Sequence, residues 1–164
     1  MYETPRLAGY FTAHGIWSVS DGETLIPIYG CLTEEGQPVL NRMAAETFEQ
    51  GVAEGEKMLE SNPQSAKCGV LIYDGRINLP EGKYDALFIK MRTYDSEAPF
   101  SMLAAIPYSP KRLLKKFRVH RPKILELPDQ FHDKTNEIFE AFFEGVDSHE
   151  KGSEIWNSSA DDSV

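Results

Sequence analysis

Cysteine is nearly absent: 164 residues contain two, Cys31 and Cys68. Neither belongs to a CxxC pair, which excludes a disulfide framework and a thiolate-ligated zinc site. Both read as small core residues of a protein kept in a reducing compartment. No uninterrupted apolar run approaches the ~20 residues that a membrane-spanning helix requires, so no membrane partner is expected. The first residues, Met1-Tyr2-Glu3-Thr4-Pro5-Arg6, lack the basic region and apolar core of a signal peptide, and cytoplasmic location is the expectation. Histidine is sparse as well. His14, His120, His132 and His149 show no HxH or HExxH spacing, so no metal site is expected. Glycine-rich phosphate loops of the Walker or dinucleotide type do not occur, and no cofactor is expected. Asp21, Glu23, Asp74, Glu81 and Asp85 fall at turns and loops, where local backbone chemistry accounts for them.

What the chain does have is a separation of charge. Of 17 lysines and arginines, seven lie between Lys111 and Lys123 with no acid among them. They are Lys111, Arg112, Lys115, Lys116, Arg118, Arg121 and Lys123. The remainder carries 10 basic against 26 acidic residues, a net −16. The overall charge of −9 therefore hides a cationic segment on an anionic body.

With 41% hydrophobic and 26% charged residues, the composition is that of a globular domain. Two alternating runs, Phe11 to Val19 and Ile26 to Leu32, flank Asp21-Gly22 and predict a hairpin. In that register Trp17 faces Ile26 and Phe11 faces Leu32. Residues 41–60 have helical periodicity, with Ala44, Phe48, Val52, Gly55 and Leu59 on one stripe, Asn41 as cap and Asn62-Pro63 as stop. Gly51 and Gly55 predict close approach of this helix to a sheet. Asp74-Gly75 predicts a second hairpin turn, followed by strands at 86–91 and 101–108 joined by a loop at 95–99. Ser109-Pro110 predicts the start of a short helix with Leu113, Leu114 and Phe117 on one face. A last helix carries Phe131, Ile138, Phe142 and Val146 inward and ends at Gly145.

The fold class that follows is α+β, a single, mostly meander antiparallel sheet with two helices packed on it, in the order β-β-α-β-β-β-β-α. Residues 1–146 form the domain. Residues 147–164 are acidic and polar, with Ile155 and Trp156 alone able to anchor them, and predict a disordered tail.

No catalytic constellation stands out. The nearest is one face of the predicted first hairpin, where His14 would oppose Tyr29 with Cys31 diagonal to it. A thiol beside an imidazole is how cysteine nucleophiles are activated. The function expected is a non-catalytic binding or self-associating module, with a protein partner or a second copy engaged by the basic segment. One alternative is a small-molecule-binding protein or small enzyme using His14, Tyr29 and Cys31. Another is a polyanion binder in which the same seven cations hold a nucleic-acid backbone and Phe117 or Tyr108 stacks on a base.

Overall fold

Glu3–Ser20 forms an 18-residue helix, α1, where the alternating pattern predicts a strand. Leu7, Ala8, Phe11, Thr12, Gly15, Ile16 and Val19 recur at helical spacing, and all are buried. Asp21-Gly22 ends this helix instead of turning a hairpin. Gly22 takes a left-handed φ of 84° and its N–H donates to the Val19 carbonyl at 3.1 Å. The same dipeptide serves either purpose because both need positive φ.

The computed structural model describes residues 2–164 apart from Asp95, Ser96 and Ala98, so part of the loop expected at 95–99 lies outside the described residues. The first hairpin sits further along the chain than expected. β1 (Ile28–Leu32) pairs antiparallel with β2 (Pro38–Arg42), matching Ile28 to Arg42 and Leu32 to Pro38. Asn41 belongs to β2, so α2 runs Phe48–Ser61 rather than from residue 41. Its start is a capping box between Thr47 and Gln50, and Asn62 ends it in the left-handed region. Gly55 lies close against the sheet as expected: a Cβ there would meet Leu71 Cδ1 at 2.4 Å.

β3 (Cys68–Leu79) and β4 (Gly82–Thr93) make one long hairpin that turns at Pro80-Glu81. Asp74 and Gly75 lie within β3. The Asp74 carboxylate accepts the Gly75 N–H and the Tyr108 hydroxyl, and Gly75 leaves room for the Phe88 ring, which a Cβ would meet at 2.8 Å. β5 (Phe100–Ser109) follows, and its outer edge takes both β6 (Arg118–Val119) and β7 (Lys123–Glu126). The seven strands form one antiparallel sheet in the order β2-β1-β3-β4-β5-β6, with β7 also on β5.

Helices cover both faces. α1, α3 (Thr135–Asp147) and α4 (Glu150–Ser159) bury one face with Ile28, Val70, Ile72, Leu87, Ile89 and Ile106. α2 covers Tyr29, Cys31 and Leu71 on the other. Four α-helices among the described residues thus replace the expected two. A six-residue 3-10 helix, Asp129–Lys134, leads into α3. Gly145 does not stop α3 but lies inside it, where a Cβ would meet the Arg6 carbonyl oxygen of α1 at 1.9 Å. Residues 147–164 are not an unstructured tail. α4 buries Trp156 edge-on to Phe142 and Phe143, with ring centroids 6.2 and 5.9 Å away. No described helix is long and apolar enough to cross a membrane.

Candidate binding surface

The basic segment does not begin a helix at Ser109-Pro110. Instead Arg112 and Lys115 exchange backbone hydrogen bonds at 2.9 and 3.1 Å, closing a two-residue turn on Leu113-Leu114. Phe117 is the inward anchor of this loop, buried beside Tyr108 with ring centroids 5.8 Å apart. The two leucines point away from everything: Leu113 is 99% exposed and Leu114 95%. A helical face would have hidden them. The tight turn leaves them at a tip with Lys111, Arg112, Lys115 and Lys116 around its base, all exposed.

The seven cations therefore divide. Four surround the tip, and among the described residues none of the four makes an ion pair. Arg118 and Arg121 lie instead on a stretch held by the C-terminal residues. Val119 bridges Ala160 in parallel, and the Asp161 N–H donates to the Val119 carbonyl at 2.8 Å. Arg121 pairs with Asp162 at 3.3 Å, both exposed. Hydrogen bonds from Ser163 first, and the neighbouring His120 and Arg118 after them, hold the Asp161 carboxyl below its ordinary range. Lys123 opens β7. The acids of α2 take no part: Glu56 pairs with Lys90 on β4.

Behind the tip, between the β3–β4 turn and the end of β5, lies an open cleft of about 380 Å³. Arg112 and Lys115 line it, together with Arg76, Lys83, Tyr84 and Ser109. Its acids are Glu81 and Asp85, the latter 3.5 Å from Arg76. One wall is braced by hydrogen bonds that the sequence does not announce. His120 donates through Nδ1 to the Asp161 carbonyl at 3.2 Å, and its Nε2 is hydrogen-bonded to the Ser109 hydroxyl at 3.0 Å. Tyr108 donates to both carboxylate oxygens of Asp74 at 3.0 Å. Burial pushes the Asp74 carboxyl up, with the Tyr108 and Gly75 hydrogen bonds opposing. No sequence pattern marks this cleft, because its residues come from β3, β4, β5 and the loop. The run of cations was the legible part; the exposure of Leu113 and Leu114 was not.

The His14, Tyr29 and Cys31 face does not assemble. Tyr29 and Cys31 point toward α2, whereas His14 sits on α1 across the sheet. Cys31 is buried, its Sγ donates to Gln64 Oε1 at 2.7 Å, and burial pushes the thiol up, away from the thiolate a nucleophile needs. His14 meets His149 instead. The His149 Nδ1 caps α4 by accepting the Gly152 N–H at 2.9 Å, so its proton is on Nε2, 3.4 Å from His14 Nδ1. Burial lowers both imidazoles, and the charges of His149 and Arg42 lower His14 further. His132 accepts no metal partner set; its Nε2 donates to the Leu127 carbonyl at 3.0 Å. Among the described residues no three His, Cys, Asp or Glu side chains converge on one point. Comparison with protein-family models, curated proteins and solved structures finds no match for this chain.

Proposed function

We propose that this protein is a non-catalytic binding module whose working surface is the loop 111–116. The observation that carries the reading is the tip itself. Two adjacent leucines, 99% and 95% exposed, stand among four cations that make no ion pair among the described residues. Exposed apolar residues need no explanation when scattered singly, but a protruding apolar pair ringed by one charge sign is a binding feature. It fits a partner that is both acidic and able to bury hydrocarbon.

A nucleic acid suits this surface less well. Phe117 and Tyr108, the aromatic residues placed to stack on bases, are 7% and 5% exposed. An active site built on His14, Tyr29 and Cys31 has no geometric support, since the three lie on two sides of the sheet.

The test is fractionation of cells making the protein. Wild type should travel with a larger assembly at low salt and come free at high salt. A variant with Lys111, Arg112, Lys115 and Lys116 changed to glutamine should travel free at either. Identical profiles for the two proteins would sink the reading. Sedimentation of the purified protein alone decides whether a second copy is the partner.

A further inference from the structure

We propose that the partner is an anionic lipid bilayer. Leu113 and Leu114 enter the boundary between headgroups and acyl chains, and the cleft behind them takes a phosphomonoester headgroup. This inference rests on the binding-module reading above and names its partner. It concerns peripheral contact, which the lack of a spanning helix leaves open.

Three observations converge. The tip is convex and apolar, so a protein partner would have to supply a socket for two leucines, whereas a bilayer accepts them anywhere on its surface. Lys111, Arg112, Lys115 and Lys116 sit at the base of the tip, which is headgroup level once the leucines are inserted. Each cation near an anionic leaflet strengthens binding about fivefold. Arg112 and Lys115, whose backbones close the turn, also line the cleft. With Arg76 and Lys83 they outnumber Glu81 and Asp85 by two charges. Tyr84 and Ser109 add neutral hydrogen-bonding groups, and about 380 Å³ accommodates a phosphate with part of its polyol. A dianionic phosphate beside four cations is the chemistry this lining favours.

The rest of the molecule orients the encounter. Its net −16 opposes approach by any other face, and a Debye length of ~8 Å in physiological salt confines that repulsion to surfaces that come near. The loop end is the face that this charge separation favours.

Flotation with synthetic vesicles tests the proposal. The lipids are phosphatidylcholine alone, phosphatidylcholine with phosphatidylserine, and phosphatidylcholine with a phosphatidylinositol phosphate at equal total charge. Wild type should leave the first and float with both anionic kinds, more tightly with the third. Leu113→Ser with Leu114→Ser should weaken partitioning about 100-fold, taking about tenfold per leucine. Arg76→Gln with Lys83→Gln should erase the preference for the phosphomonoester while keeping attachment to phosphatidylserine. Because Cys31 and Cys68 are buried, Leu114→Cys offers one accessible thiol for an environment-sensitive dye, whose emission should shift blue on anionic vesicles only. Attachment that ignores the leucines, or a dye that stays in water, overturns insertion. Absence of any preference at equal charge overturns the cleft assignment. Failure to float with every vesicle, while cell fractionation still shows salt-sensitive assembly, overturns the bilayer and leaves a protein partner. Failure of both removes the binding-module reading too.

Discussion

Gly145→Ala sets two physical effects against each other with opposite signs. In an isolated helix, alanine for glycine stabilises by about 1 kcal/mol. Here the new Cβ would stand 1.9 Å from the Arg6 carbonyl oxygen and 2.9 Å from the Tyr10 nitrogen. Gly9 is the reciprocal position, where a Cβ would meet the Phe142 carbonyl oxygen at 1.8 Å. α1 and α3 are thus in backbone contact through two glycines, and the Arg6–Glu144 ion pair and the Tyr2–Glu137 hydrogen bond cross the same seam. Reaching an ordinary 3.4 Å contact requires the helices to part by about 1.5 Å. The obstacle is backbone, so no rotamer change relieves it. Overpacking of this kind costs about 3 kcal/mol, at the upper end of its usual range. The net is about 2 kcal/mol of destabilisation, or a melting temperature lower by about 4–8 °C for a chain of this size. Urea denaturation followed by circular dichroism measures it. The double variant with Gly9→Ala should cost less than the sum of the singles, because one displacement relieves both clashes. A Gly145→Ala protein as stable as wild type would refute the contact.

Two further outcomes are expected. His14 and His149 both titrate below the ordinary imidazole value in the folded protein, so the unfolded chain binds more protons as pH falls. Their contribution is complete above the unfolded value of about 6.5 and is lost as pH drops from there. The urea midpoint should be lower at pH 5.5 than at pH 7.5, and His149→Asn, which keeps a capping acceptor without a titrating ring, should shrink that difference; an unchanged difference contradicts the pairing. Trp156→Ala should destabilise by about 3–5 kcal/mol, read as a lower melting temperature, and an unchanged melt would mean that α4 is not docked.

The fold class was legible because short continuous apolar runs at 70–73, 86–91 and 101–108, bounded by turn residues, are too short for helices and read as buried strands. The N-terminal helix was not. Phe11, Ala13, Gly15, Trp17 and Val19 satisfy alternation, while Leu7, Ala8, Phe11, Thr12, Gly15, Ile16 and Val19 satisfy helical spacing. Small residues at 8, 12, 13 and 15 serve either pattern. An unbroken 18 residues is the discriminating fact, since strands seldom run so long. Asp-Gly at 21–22 and 74–75 misled for separate reasons, one being a helix stop and the other a packing gap beneath Phe88. The acidic tail was misjudged on composition, because one tryptophan with Gly152 close against Ala13 is enough to dock a helix. In the basic segment the residues were legible but their disposition was not. Proline after serine is compatible with a helix start or a loop, and the Arg112–Lys115 backbone pair decides between them.

The placement of α1 bears on how the chain reaches this state. The β3–β4–β5 meander closes through neighbours in sequence, whereas α1 packs on α3 and α4, more than 130 positions away. Such distant pairings form slowly. The meander can assemble while α1 still waits, its Leu7, Phe11 and Ile16 side shielded only by strands. Closure of the Gly9–Gly145 seam after the main barrier is the order that this connectivity favours. Disturbing it should therefore leave the folding rate nearly untouched and hasten unfolding, so that the seam sets how long a folded molecule lasts rather than how fast it forms.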